Sequence, residues 1–326
     1  MFSKISSHLP VFVFLLALLW IFSLSKTTLA MPALEADKSP VSMKILGKYG
    51  DFSTIKKQNV TYALASAEKR VVKNLSAASV LVLDAVSEEI IFAKDPDTPR
   101  QPASTIKVLT GMIALKSLKE SDNIAVSAKA ARQPSSKIYL DQRKEYPAGD
   151  LINAVLLSSA NDAGVALAEK IAGSEQVFAK MMTLRAKLWG AKMTVCKTAT
   201  GLTAKGQHST ARDLAIIFNH AMKDGDFAEI MKHSKTRTTE GKLLRNHNKA
   251  LWQIDGAEGG KTGYTNAARQ TYVGKFKRGT AEIVVAILGS EKMWDDLKLL
   301  VEYGFQTKQL IAEQQLEMTQ MADATP

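Results

Sequence analysis

The chain has 326 residues, 46% of them hydrophobic and 23% charged, with only 19 glycines and 9 prolines, which excludes a collagen-like, coiled-coil or wholly disordered polypeptide. A formal charge of +11 favours anionic partners, yet the basic residues are scattered and no basic cluster is interleaved with aromatics, so nucleic acid is not an expected partner. One cysteine, Cys196, excludes an intrachain disulfide, and the histidines at 8, 208, 220, 233 and 247 make no ligand spacing, so neither zinc nor any other metal is expected.

The chain opens with Lys4, an apolar run from Val11 to Phe22, and the small residues Thr28-Leu29-Ala30. A membrane span needs ~20 apolar residues, so this run reads as a secretory signal cleaved after Ala30, with an uncleaved N-terminal anchor as the alternative. The working protein is therefore expected outside the cytoplasm, in the periplasm or cell-wall space. Residues 31–75 read as a polar leader that ends in a helix near Thr61 to Val72. Ser79 to Ala85 and Glu89 to Ala93 are short β-rich runs around a Val86-Ser87-Glu88 turn, a hairpin signal.

From Ser104 to about Ala221 the apolar spacing turns helical, in blocks at Ile106 to Leu115, Leu151 to Leu157, Val165 to Ile171, Phe178 to Leu188 and Leu214 to Met222. Strand-like runs return at Thr271 to Phe276 and Ile283 to Leu288, followed by a helix from Trp294 to Tyr303 that Gly304 is expected to end. Strands at both ends with helices between them predict an α/β fold. An antiparallel sheet is built from both chain ends, a mostly helical lobe is inserted between, and a cleft lies where they meet. The expected organisation is a signal peptide over 1–30, a leader over 31–75, one catalytic domain over 76–306 and a short tail over 307–326.

Serine and lysine three apart on a helix share a face, so the amine can take the hydroxyl proton during attack on a carbonyl. S-x-x-K occurs four times, at Ser23, Ser53, Ser66 and Ser104. Only Ser104 follows Pro102-Ala103 and opens a long apolar run, which selects Ser104 and Lys107 over a simple helix N-cap. Ser121-Asp122-Asn123 lies in a polar segment and reads as a turn. Ser159-Ala160-Asn161 instead sits between two apolar helices, where a second hydroxyl and an amide could relay a proton and hold substrate, or where Asn161-Asp162 could merely cap the second helix. Lys261-Thr262-Gly263 precedes a strand. A lysine facing the cleft there would lie beside Lys107, where burial and like charge both lower an amine's pKa. Thr262 offers a hydroxyl to a substrate carboxylate, and Gly263 leaves room for an extended substrate along the strand edge.

The three patterns in this order are the signature set of serine β-lactamases and penicillin-binding proteins. The residues around them, Ser159-Ala160-Asn161-Asp162-Ala163, Thr200-Gly201-Leu202, His208-Ser209-Thr210-Ala211-Arg212-Asp213 and Gly260-Lys261-Thr262-Gly263-Tyr264-Thr265, resemble the D-alanyl-D-alanine carboxypeptidase family over about residues 75–306. That resemblance implies an exported, penicillin-sensitive serine peptidase that needs no cofactor and acts on peptidoglycan stem peptides, with β-lactams as covalent inhibitors. Carried over, Ser104 is the nucleophile, Lys107 its base, Ser159 and Asn161 the proton relay and substrate anchor, and Lys261, Thr262, Gly263 and Tyr264 the substrate-binding strand. The backbone N–H groups of Ser104 and Tyr264 would form the oxyanion hole. Ile106, Trp189 and the Met193-Thr194-Val195-Cys196 segment depart from the family pattern without touching a catalytic letter. The chain also looks like the short family members, without a C-terminal β-rich domain or a stable membrane anchor.

The sequence does not separate carboxypeptidase action from D,D-endopeptidase action on crosslinks, since both break a D-alanyl carbonyl bond. A class A β-lactamase would carry a deacylating E-x-x-L-N segment, and none lies between Asp162 and Lys261. A non-catalytic wall-binding or β-lactam-binding protein is the third alternative, which turnover by the wild type and its loss in Ser104→Ala would exclude. Cys196 reads as a buried residue of the helical lobe.

Overall fold

The computed structural model describes residues 64–323, so the expected signal segment and the leader up to residue 63 lie outside the described residues. A helix over 64–74 (α1) leads into the hairpin β1 (Ser79–Asp84) and β2 (Ile90–Lys94), as the sequence suggests. Asp84 shapes the turn by accepting from the backbone N–H groups of Val86 and Ser87 at 2.8 and 3.0 Å. The helical lobe follows. A 3₁₀ turn (Ala103–Ile106) runs straight into α2 (Lys107–Ser117). Then come β3 (Asn123–Ala125), α3 (Ala128–Ala131), β4 (Glu145–Pro147) and α4 (Ala148–Leu156). The lobe is completed by α5 (Asn161–Ala172), α6 (Glu175–Leu188), α7 (Ala211–Ala221) and α8 (Gly225–Lys232). A small hairpin, β5 (Lys235–Arg237) and β6 (Leu243–Arg245), and the single turn α9 (Ala250–Gln253) return the chain to the sheet. It closes with β7 (Ala257–Thr265), β8 (Arg269–Arg278), β9 (Ala281–Ser290) and α10 (Met293–Asp323).

The main sheet has the order β2-β1-β9-β8-β7 and is antiparallel throughout, with β1 inserted beside β9 so that Val82 faces Val285. This is the expected sheet built from both ends of the chain. Its central strands are unbroken apolar runs because both faces are covered. Val80 and Val82 of β1, with Ile283, Val285 and Ile287 of β9, pack under Leu297, Leu300 and Val301 of α10. The alternate residues, Leu81, Leu83, Val284, Ala286 and Leu288, face the helical lobe. At the centre of that lobe, α5 buries Ala163 through Ala168 completely, since small side chains let the neighbouring helices close around it.

Gly304 does not end the last helix, which continues to Asp323. The glycine serves packing instead. A Cβ there would lie 2.8 Å from Ile283 Cδ1 and 3.1 Å from Val82 Cγ1, so its absence lets α10 settle onto the sheet. Cys196 is buried in the helical lobe as expected, and burial pushes its thiol up to about 12.

Candidate active site

A cleft of about 460 Å³ opens where the edge strand β7 meets the helical lobe. Ser104, Ser159, Asn161, Thr262, Gly263 and Tyr264 all line it. Lys107 and Lys261 lie directly behind this lining, each wholly or almost wholly buried. All the candidate residues therefore converge, from a 3₁₀ turn, an interhelical loop and a strand that are far apart in sequence.

The 3₁₀ turn presents Ser104 through an unusual backbone. Ala103 has φ +49°, and the Pro102 carbonyl beneath it accepts from Thr105 Oγ1 at 2.6 Å and from Thr271 Oγ1 of β8 at 3.0 Å. Gly201 packs underneath. A Cβ on it would fall 1.9 Å from the Ala103 carbonyl oxygen, so only glycine lets that loop approach, and its own φ of +78° points the same way. Ser159 also has positive φ, +57°, which turns its hydroxyl out of the α4–α5 loop toward the cleft. Non-glycine residues held in such conformations gather at functional sites.

Lys107 Nζ sits 2.7 Å from Ser104 Oγ, 2.8 Å from Asn161 Oδ1 and 2.7 Å from the Thr200 carbonyl oxygen. The amide and peptide oxygens can only accept. A neutral amine has two N–H groups and one lone pair, so those two acceptors take both N–H groups and leave the lone pair facing the Ser104 hydroxyl. Burial, and secondarily the charge of Lys261, holds the Lys107 amine well below its ordinary range. The arrangement can withdraw the proton from Ser104 as its oxygen attacks a carbonyl.

Asn161 is oriented in turn by a second layer. Its Nδ2 donates to the Pro134 carbonyl at 2.9 Å and its backbone N–H to the Ser136 carbonyl at 2.7 Å. The neighbouring Asp162, fully buried, pins this same segment by accepting from the backbone of Ile138 and Leu140, each at 3.1 Å. Asn161-Asp162 therefore does not cap α5, whose N-cap is Ala160 with no side-chain capping bond; the pair instead ties the loop over 134–140 to the lysine.

Lys261 is placed differently from the expectation of a lysine open to the cleft. Its amine donates to Ser159 Oγ at 2.9 Å and to the Thr262 carbonyl at 3.1 Å, and burial pushes its pKa down to about 7. Its amine therefore lies behind the cleft wall, hydrogen-bonded to Ser159. Gly263 also has a second reason to be glycine: a Cβ would lie 2.7 Å from Ser104 N and 3.0 Å from Ala103 Cβ, so β7 closes directly onto the turn that carries the serine. Sequence reasoning assigned no role to the Thr200 carbonyl or the Pro134 and Ser136 carbonyls, because backbone acceptors carry no side-chain signature. It also missed His247, Lys249, Gln270 and Trp294, which complete the cleft. Burial, followed by the charges of Lys261 and Lys107, lowers the His247 imidazole to about 4, so it is neutral at physiological pH. No cluster of metal-ligating side chains occurs among the described residues.

The family model described as D-alanyl-D-alanine carboxypeptidase matches residues 64–292. The chain belongs to this family of serine peptidases. D-alanyl-D-alanine carboxypeptidase DacB2 of Mycobacterium tuberculosis is 34% identical over 240 residues, covering 70% of this chain and 82% of the relative. DacF of Bacillus subtilis is 31% identical and DacA of Escherichia coli 30%, and the chain spans 57% and 62% of their lengths, respectively. Among solved structures, a D-alanyl-D-alanine carboxypeptidase from M. tuberculosis superposes with a TM-score of 0.68 at 32% identity, covering 72% of this chain and 92% of that one. Penicillin-binding protein D2 of Listeria monocytogenes, in an ampicillin-bound form, gives 0.66 at 27% identity, covering 71% of this chain and 98% of its own. The fold is therefore that of penicillin-binding proteins, and membership of the family makes the chain a serine-type carboxypeptidase, a hydrolase.

Proposed function

We propose that the protein is an exported D,D-carboxypeptidase that removes the terminal D-alanine of peptidoglycan stem peptides through an acyl-enzyme on Ser104, and that penicillin inhibits it by acylating the same oxygen. The observation that carries this reading is the buried Lys107 amine, held between Ser104 Oγ and two obligate acceptors. Export rests on the signal-like segment over 1–30 and on a substrate class found in the cell wall, and the periplasm is the matching compartment.

In the proposed cycle, Ser104 Oγ attacks the carbonyl of the penultimate D-alanine while its proton passes to Lys107. The developing oxyanion meets the backbone N–H groups of Ser104 and Tyr264, an arrangement that supplies several kcal/mol in such sites. The close packing of Gly263 on Ser104 supports that pairing. As the C–N bond breaks, the leaving amine takes a proton from Ser159, polarised by Lys261 across its 2.9 Å hydrogen bond, and the proton held by Lys107 replaces it, which leaves Lys107 neutral again. Water then attacks the ester, the neutral Lys107 takes its proton and returns it to Ser104 Oγ as the ester C–O bond breaks, and the shortened peptide leaves. The protein supplies every proton acceptor and donor in this cycle from its own side chains.

The test is product analysis by mass spectrometry after incubation with a disaccharide pentapeptide and, separately, a crosslinked dimer. Loss of one alanine from the pentapeptide, abolished in Ser104→Ala, is the expected result. Cleavage of the dimer alone would make the protein an endopeptidase, and absence of any product from folded protein would overturn the catalytic reading.

A further inference from the structure

Between residues 229 and 249 the sequence carries six lysines and arginines against two glutamates. Half of those cations sit on the small hairpin β5–β6, whose two faces differ. Thr236 and Leu244 are opposite each other on the inner face, and Leu244 is buried, so this face holds the hairpin against the helical lobe. Lys235, Arg237 and Arg245 lie on the outer face and are exposed. Lys235 and Arg245 are direct cross-strand partners. Like charges in that position have Cβ atoms ~5 Å apart and destabilise the pairing. Two strands of three residues each have little to set against that repulsion.

Neither Lys235 nor Arg245 makes a side-chain hydrogen bond or ion pair among the described residues, and Arg237 donates to the Gly241 carbonyl at 2.7 Å. The acids nearby in the chain and at the hairpin tip are engaged elsewhere. Glu240 pairs with Lys144 at 3.0 Å, and Glu229 lies 3.7 Å from Lys232 and 3.9 Å from His233. Asp150 accepts from the N–H and the hydroxyl of Thr239 at 3.0 and 2.7 Å. Three exposed cations on one face, with no carboxylate of the protein to relieve them, form a site for an anion. The hairpin is also tied to the active site. Ser158 Oγ donates to the Arg245 carbonyl at 3.2 Å and the His247 N–H to the Leu157 carbonyl at 3.1 Å, so β6 is held on the α4–α5 loop that presents Ser159. Arg245 is two residues from His247 of the cleft lining, which keeps their Cα atoms within ~7 Å.

We infer that the outer face of β5–β6 is an exosite for the substrate polymer, where Lys235, Arg237 and Arg245 hold free carboxylates of stem peptides neighbouring the one in the cleft. This inference rests on the carboxypeptidase reading. The chemistry of that reaction favours this occupant: a stem peptide ends in a free carboxylate both before and after its last alanine is removed, so the polymer stays anionic throughout. The contact therefore retains the protein on its substrate from one cleavage to the next.

The experiment measures cosedimentation with insoluble peptidoglycan, and kcat/KM for the soluble tripeptide diacetyl-L-Lys-D-Ala-D-Ala, in wild type and in two double variants, Lys235→Gln with Arg245→Gln and Lys235→Glu with Arg245→Glu. Affinity for the polymer is expected to fall about fivefold in the glutamine pair, the scale of two exposed ion pairs, and further in the glutamate pair. Turnover of the tripeptide, which is too short to reach the hairpin from the cleft, should stay at the wild-type level in both. Rising salt should weaken wild-type binding more than that of the glutamine pair, and amidation of the polymer's carboxylates should abolish the difference between them. Peptidoglycan stripped of attached phosphodiester polymers with hydrofluoric acid should bind as before, and loss of binding on stripping would overturn the assignment to stem carboxylates. Equal polymer affinity in wild type and the glutamate pair, or a matching loss of tripeptide turnover, would overturn the exosite. Failure of wild type to release D-alanine from tripeptide and polymer alike, with salt-sensitive polymer binding intact, would instead overturn the carboxypeptidase reading, so the two failures are distinct. Since the glutamine pair removes a repulsion, its melting temperature should equal or exceed that of wild type, which separates lost binding from unfolding.

Discussion

Replacing Lys261 by methionine should make the protein more stable while removing its activity, because the fold holds this amine where its charge is disfavoured. Burial lowers its pKa from 10.5 to about 7. At ~1.4 kcal/mol for each tenfold change in acidity, that fall corresponds to ~5 kcal/mol against the charged form. Methionine fills a similar volume but loses the hydrogen bonds to Ser159 and the Thr262 carbonyl, at ~1 kcal/mol each. A net gain of about 3 kcal/mol is therefore expected at pH 6.5. Between about pH 7 and 10.5 the unfolded chain binds this proton and the folded chain does not, so wild-type stability rises with pH through that window. The slope from one such proton is at most ~1.4 kcal/mol per pH unit. The variant lacks it, and its advantage should shrink steadily above pH 7, vanish near pH 9 and reverse by pH 10. Urea unfolding followed by tryptophan fluorescence from pH 6 to 10 measures both curves, and parallel curves for wild type and variant would refute the reasoning.

The remaining predictions concern the same site and its supports. Gly263→Ala places a methyl 2.7 Å from Ser104 N, and should slow penicillin acylation on the order of 100-fold, the scale of an oxyanion-hole defect, with near-native circular dichroism. Because the Lys107 amine lies well below its ordinary range, log kcat/KM should climb with unit slope at low pH and level off well below pH 10.5. A rise that continues to pH 10.5 would mean the base is not this lysine. Asp162→Asn replaces one acceptor oxygen with a donor facing the N–H groups of Ile138 and Leu140. It should lower kcat by at least tenfold, an effect of the order of one lost buried hydrogen bond, with substrate affinity measured alongside to show which step suffers. Gly304→Ala should destabilise by about 1–2 kcal/mol despite the better helix propensity of alanine, since overpacking against Ile283 outweighs it, and thermal unfolding checks the sign.

Much of this architecture is legible in the sequence because the signals are local. The β1–β2 hairpin announces itself through β-branched runs around a turn, and the five long helices of the lobe through their apolar spacing. The catalytic letters are legible through context: Ser104 differs from Ser53, which carries the same Ser-Thr-Ile-Lys letters, only by what precedes and follows it. What stays hidden depends on contacts between distant segments. Gly304 reads as a helix stop until the sheet beneath it is seen. Lys261 reads as a cleft residue until its amine is found on Ser159. The Thr200 carbonyl, which completes the environment of Lys107, has no side chain to announce it. Short pieces such as β5, β6 and α9 hold too few residues for any period to show, and Lys249 at the edge of α9 went unnoticed for that reason.

The measurement that tests the central claim most directly is intact-mass and peptide mapping of the protein after a brief exposure to penicillin, for wild type, Ser104→Ala and Lys107→Met. A single adduct of the antibiotic's mass on the peptide containing Ser104, absent from Ser104→Ala and formed far more slowly in Lys107→Met, is the predicted result. An adduct on any other serine, or equal acylation rates in wild type and Lys107→Met, would contradict the assignment of Ser104 as nucleophile and Lys107 as its base.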